Sequence, residues 1–282
     1  MNNKGKSFAL VLSGGGVRGM AHVGVLMGLN RMGLYPDAIV GVSMGGIIAA
    51  TYALNQDWYR DLCQMDTSTF PEPPRPVNGE LREIVRALLA SERMLREMLL
   101  GWGAGEEAQE AGKAMLRELT LGRNLEQGRI PVATVAMDLV SGSRVVFAKG
   151  EAVTAAYASA AMPGLLPPLK LNGQLLADGT YVDDVPVDVA RMLGVDRVMA
   201  IDVSQMEPAL NLRNGFQAIM RAVEISHNAH VHSRFAQADA VLRVTFPMQI
   251  NVLDFDRKRC CVAAGIRAVR QQKQTLLRLL YD

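Results

Sequence analysis

Apolar and polar positions alternate between two periods along this chain. FALVL, Phe8 to Leu12, is an unbroken apolar run of strand length. From Arg18 to Met32 the apolar positions follow helical spacing, and Gly33 stops them. AIVGV, Ala38 to Val42, predicts a second strand, followed by a helix from about Met44 to Leu54. Strand–helix–strand–helix predicts an α/β fold: three α/β/α layers with a mostly parallel central sheet.

The pattern then breaks. TFPEPPRP, Thr69 to Pro76, cannot continue a helix. Asn78 is placed to cap the next one, because its side-chain oxygen can take a free first-turn N–H. An apolar stripe from Leu81 to Leu99 is interleaved with Glu and Arg, and GWGAG, Gly101 to Gly105, ends it. A further helix runs to about Leu119. Residues 67–122 therefore read as a helical insert, either packed on the sheet or covering a site as a lid. Strand patterns return at Ile130 to Leu139 and Arg144 to Ala148. VTAAYASAAM is a small-residue helix stopped by Pro163 and Gly164, and QLLADG leads from a strand into a turn. Arg197 to Ser204 and Ala240 to Phe246 read as late strands. Gly215 to Phe235 and Arg257 to Leu280 read as helices. The expected organisation is one domain over residues 1–282, with the insert inside it.

Composition narrows the function. Thirty basic against 28 acidic residues leave a net charge of +2, and no dense Lys/Arg tract favours a nucleic-acid partner. The three cysteines, Cys63, Cys260 and Cys261, are odd in number, so they form no disulfide framework and suit a reducing compartment. The N-terminal apolar run enters glycines at once, which suits a strand rather than a signal peptide. Ala38 to Leu54 is uncharged but short for a membrane span, and it contains three glycines and a serine.

Two loops carry candidate chemistry. Gly14, Gly16 and Gly19 match GxGxxG between a strand and a helix. A dinucleotide site would want an acid at the end of the second strand, where it can reach a ribose. Here Asp37 precedes that strand, and the strand ends in GVSMG. That segment fits GxSxG, with Gly41 and Gly45 leaving room for Ser43 on a sharp turn at a helix N-terminus. A serine nucleophile needs a base. His22 lies four residues after Arg18 on one helix face and reads as structural. His227, His230 and His232 could complete a Ser–Asp–His triad, or simply be helical surface histidines. Their spacing raises a metal site, but no Asp or Glu interleaves them. Asp178 ends an apolar strand just before Gly179, so a tight turn can aim its carboxylate into a cleft. Asp183, Asp184 and Asp188 are nearby alternatives, and Asp184, two residues before Pro186, looks like a turn or cap residue.

Taken in order, these motifs resemble the bacterial patatin-like phospholipases. SGGGVRG is similar to the family's glycine-rich oxyanion loop, GVSMG to its nucleophile elbow and DGT to its Asp-Gly-Gly/Ala motif. ASAAMPGLLPP is similar to the Ser/Ala-rich helix and Pro-Gly turn before the aspartate. The likeness extends from about Phe8 to Gly265 and is weakest from Thr67 to Gly122. It implies a Ser–Asp dyad with Ser43 as nucleophile and Asp178 as base. It also implies an oxyanion hole at Gly14, Gly15 and Gly16, with Arg18, Gly41, Gly45 and Gly179 in support. It implies no cofactor and no metal, and a phospholipid or lysophospholipid substrate cleaved through an acyl-Ser43 intermediate. A cytoplasmic enzyme in transient peripheral contact with membranes is the expected setting. Two departures stand out: Thr180 replaces Gly or Ala, and Asp184 stands where many members carry Asn. A nucleotide-binding enzyme using the Gly14–Gly19 loop, a histidine-triad esterase and an inactive interaction module remain alternatives on the residues alone.

Overall fold

The computed structural model describes residues 5–67, 101, 105–205, 212 and 215–281. The predicted Asn78 cap and the 81–99 stripe lie outside the described residues. Among the described residues, eight strands form one sheet: β1 (Phe8–Leu12), β2 (Ala38–Val42), β3 (Val132–Asp138), β4 (Arg144–Phe147), β5 (Leu169–Leu171), β6 (Gln174–Asp178), β7 (Arg197–Asp202) and β8 (Ala240–Arg243). The path runs β5-β6-β3-β2-β1-β7-β8, with β4 also paired to β3. Strands β3, β2, β1, β7 and β8 pair in parallel, whereas β4, β5 and β6 enter through antiparallel pairs.

The continuous apolar runs have a direct cause. Every residue of β1 and β2 is buried, because helices cover both faces of the sheet. Successive side chains then divide by size. Phe8, Leu10, Leu12, Ile39, Met199 and Ile201 point into a large core shared with α1 (Met20–Arg31), α2 (Met44–Leu54) and α3 (Trp58–Gln64). The same core takes in α4 (Gly105–Thr120) and α5 (Ala152–Ala160). Ala9, Val11, Ala38, Val40, Val198 and Ala200 point to the opposite face. After the one-turn α6 (Thr180–Asp183), that face is covered by Val187, Val189 and Ala190 of α7 (Val187–Met192). Val231 and Phe235 of α8 (Gly215–Phe235) complete it. The result is three α/β/α layers.

Several elements differ from the sequence reading, among them the helices α3, α6 and α7, which it did not predict. The C-terminal helical pattern is two helices, α9 (Lys258–Gln271) and α10 (Lys273–Tyr281), divided at Gln272. β5 is an additional three-residue strand. α2 is buried along its whole length, which explains why its sequence shows no polar face. Among the described residues, no helix is long and apolar enough to cross a membrane.

Candidate active site

Ser43 and Asp178 lie 135 residues apart, and one strand brings them together. β2 runs along β3 with Val42 opposite Val135. β6 runs the other way and ends with Asp178 opposite Ala136, the next residue of β3. β4 shares Thr134 and Val135 with β2, and Ala136 and Met137 with β6. A strand residue has only two edges, so β4 occupies the other one. β2 and β6 therefore meet end to end on a single edge of β3. Ser43 Oγ donates to Asp178 Oδ2 at 2.7 Å.

Local geometry holds both groups. Ser43 is one of three described non-glycine residues with positive φ (φ 56°, ψ −127°), and it starts α2. This backbone region is sparsely populated, at a cost of roughly 1–3 kcal/mol, and persists only where the surroundings enforce it. A Cβ at Gly41 would lie 2.1 Å from the Gly45 carbonyl oxygen, and one at Gly45 would lie 2.2 Å from that of Leu12. A side chain at either position would displace the elbow. Ser159 of α5 was not singled out by its sequence, yet it accepts the Ser43 N–H at 3.0 Å and donates to the Val135 carbonyl at 2.6 Å. It ties the elbow to β3. Gly179 packs so closely on β3 that a Cβ there would lie 2.2 Å from the Val135 oxygen.

Asp178 is fully buried. Its Oδ1 accepts the Thr180 N–H at 2.9 Å. Burial raises the carboxyl above its ordinary value, and the hydrogen bonds from Ser43 and Thr180 oppose that shift. The outcome is a carboxylate that is more basic than usual and aimed at a hydroxyl. The Thr180 departure bears on this support directly, because its side chain as well as its amide bonds the Asp178 carboxylate.

The glycine-rich loop lies beside Ser43. Gly15 and Gly16 have φ of 142° and 56°, conformations that favour glycine. Among the described residues their N–H groups have no backbone acceptor. Gly14 behaves differently: its N–H donates to Asp184 Oδ1 at 2.6 Å. That amide is committed, so the free donors of the loop begin at Gly15. Arg18 bonds the Gln205 carbonyl at 2.9 Å through Nη1, tying the glycine-rich loop to the segment that follows β7. Burial lowers its basicity.

The remaining candidates fall elsewhere. His22 is buried, with Nε2 2.8 Å from the Ser13 carbonyl, and burial pushes it down to about 4. Asp183 and Asp188 are held by Arg144 and Arg234 in one ion-pair network. Asp184, expected as a turn or cap residue, is the C-cap of α6, and it is also 5% exposed and tied to the Gly14 loop. His227 Nε2 lies 3.8 Å from Asp184 Oδ2, while His230 and His232 sit farther along α8. Among the described residues, no histidine is hydrogen-bonded to Ser43. None of the described residues form a group of three or more His, Cys, Asp or Glu able to hold a metal.

Ser43 and Gly16 border a pocket otherwise walled by apolar side chains, including Ile47, Met162, Leu165, Leu166, Leu253 and Phe255. Its cavity volume is about 40 Å³.

Residues 10–191 match a family profile described as patatin-like phospholipase. Over 205 residues, 72% of this chain, the sequence is 29% identical to patatin-like phospholipase domain-containing protein 6 of Mus musculus, of which it covers 14%. Lysophospholipase NTE1 of Saccharomyces cerevisiae is 27% identical over 212 residues, 75% of this chain and 12% of that protein. The chain thus spans only 12–14% of the length of these curated relatives. The crystal structure of VipD from Legionella pneumophila superposes with a TM-score of 0.51, covering 96% of this chain and 67% of that one. At 14% identity this likeness speaks to the fold alone.

Proposed function

The chain belongs to the patatin-like phospholipase family, and from that premise we propose that it hydrolyses carboxylic esters of lipids through an acyl-Ser43 intermediate, with Asp178 as base. The observation that carries this reading is the 2.7 Å bond between Ser43 Oγ and Asp178 Oδ2, with Ser43 lining an apolar pocket. As Ser43 Oγ attacks the ester carbonyl, its proton passes to Asp178. Attack and transfer occur together, so no free alkoxide forms. The carbonyl oxygen becomes an oxyanion beside the Gly15 and Gly16 amides, each donor of this kind contributing about 3 kcal/mol. As the tetrahedral species collapses, Asp178 returns the proton to the leaving alcohol. Water then attacks the acyl ester with the same carboxylate as base.

The pocket wall suits a fatty acyl chain, and with the lysophospholipase among its relatives this favours a phospholipid or lysophospholipid. Such a substrate is met in passing contact with a membrane surface. Cys63, Cys260 and Cys261 are unpaired, in keeping with a reducing cytoplasmic setting.

The test is turnover of short- and long-chain acyl esters by wild type, Ser43→Ala and Asp178→Asn. Both variants are expected to lose about 10³-fold or more in kcat. Mass spectrometry of a trapped intermediate should place the acyl group on Ser43. Normal turnover by Ser43→Ala would sink the reading.

A further inference from the structure

Asp184 is a buried acid to which the proposed reaction assigns no task. It lies 5% exposed at the end of α6, and its Oδ1 holds the Gly14 N–H at 2.6 Å. The Gly14 backbone and Thr180 pack against it so tightly that a Cβ on Gly14 would lie 2.9 Å from Asp184 Oδ1 and 2.6 Å from Thr180 Oγ1. The carboxyl thus anchors the first residue of the loop whose next two amides are free.

We propose that Asp184 is a positioning residue that supports acyl transfer as a neutral carboxylic acid, one oxygen clamping the Gly14 amide while no negative charge stands beside the oxyanion site. This rests on the reading of Ser43 and Asp178 given above. The surroundings favour the neutral form. Burial is the main penalty on an ionised Asp184, the Gly14 N–H opposes it, and Asp178 on β6, Asp183 on α6 and Asp202 on β7 add repulsion. Together they push the carboxyl up to about 7. Arg144 and Arg234 bind Asp183 and Asp188, and Arg243 lies 3.4 Å from Asp202. Arg18 is the cation that Asp184 feels; its Nη1 donates to the Gln205 carbonyl, and its attraction for an ionised Asp184 opposes the neutral form. His227 of α8 is the nearest base, 3.8 Å from Oδ2, beyond hydrogen-bond length. Burial and His230 lower its basicity, against a weaker pull from Glu224.

The two acids thereby take opposite roles. Asp178 must be ionised to accept the serine proton. Asp184 must keep its own proton, because a carboxylate there would oppose the charge growing on the substrate oxygen. An asparagine has the same shape, accepts the same N–H and cannot ionise.

The experiment compares pH profiles of kcat/KM for wild type, Asp184→Asn and Asp184→Ala, alongside a carbon-13 titration of the Asp184 carboxyl in the full chain. Wild type is expected to fall about tenfold per pH unit above about pH 7. Asp184→Asn should lack that limb, so its rate relative to wild type rises about thirtyfold between pH 6 and pH 8.5. Asp184→Ala, without an acceptor for Gly14, should be slow at every pH. An Asp184 carboxyl that titrates below pH 5, a His227 that titrates above its ordinary 6.5, or an Asp184→Asn variant that keeps the wild-type alkaline limb would overturn the proposal. Ser43→Ala run in parallel separates the two readings. If it turns over normally, the acyl-serine mechanism fails. The shift of the Gly14 amide resonance across the Asp184 titration then decides the clamp by itself.

Discussion

Ser159 shows how much of the site depends on one small hydroxyl. It accepts the amide of Ser43 and donates to the Val135 carbonyl, so its removal takes an acceptor from the buried Ser43 N–H and a donor from β3. Ser159→Ala is expected to lower stability by about 1–3 kcal/mol in urea unfolding. It should also slow turnover about 10–100-fold with little change in KM, because the hydroxyl bond to Asp178 depends on the elbow's position. A variant with wild-type kcat would remove Ser159 from the positioning set. Residues of this kind were hidden in the sequence. Ser159 reads as one more small residue among alanines, and its role appears only when α5 lies across β3. Asp184 was legible only in part. Two residues before a proline, an aspartate ordinarily marks a turn or cap, and it does cap α6; but α6 also carries it inward against the Gly14 loop. The only sequence signal of that contact was its departure from the asparagine of the resemblance. Ser43, Asp178 and the glycines were legible because sharp turns, close approach and positive φ restrict the residue types that fit.

Among the elements, α1 and α9 show the same restriction at a helix pair. A Cβ on Gly24 would lie 2.0 Å from the Val262 carbonyl oxygen, and one on Gly265 would lie 2.0 Å from that of Ala21. The two backbones touch, and α1 leads directly from the glycine-rich loop. Gly265→Ala is expected to cost roughly 1–3 kcal/mol by overpacking. Its urea midpoint should fall while kcat of the folded fraction stays within about twofold. An unchanged midpoint would mean that the helices separate freely. Element boundaries were readable where burial was complete. β1, β2 and α2 begin and end where their apolar runs meet serine, aspartate or asparagine. β5 was not readable, since LKL is too short to show a period. Nor was the division at Gln272, where neither Gly nor Pro interrupts the helical pattern. The antiparallel entry of β6 was also hidden, because strand direction depends on what lies across the sheet.

For the whole molecule, pH dependence follows from two buried groups with opposite signs. His22 falls from 6.5 to about 4 on folding, so its contribution to stability is complete above 6.5 and is lost as pH drops toward 4. Asp184 rises from 3.8 to about 7, so the folded state binds the extra proton. The stability linked to it is present below about 4 and is lost as pH climbs through 7. Between pH 4 and 6.5 the two slopes oppose each other; just above, only that of Asp184 remains. Asp184→Asn is expected to match wild type near pH 4 and to exceed it at pH 8, as read from urea midpoints at pH 4, 6 and 8. A wild type that is the more stable of the two at pH 8 would contradict a carboxyl buried in its neutral form. The end-to-end meeting of β2 and β6 on β3 also bears on biogenesis. On the proposed mechanism, a nascent chain that has not yet emerged past residue 178 holds Ser43 without its base and is expected to be inert toward lipid esters. Under the proposed chemistry, recovery of turnover after dilution from urea would be a clock for the last strand to dock, and helical signal regained earlier would be catalytically silent.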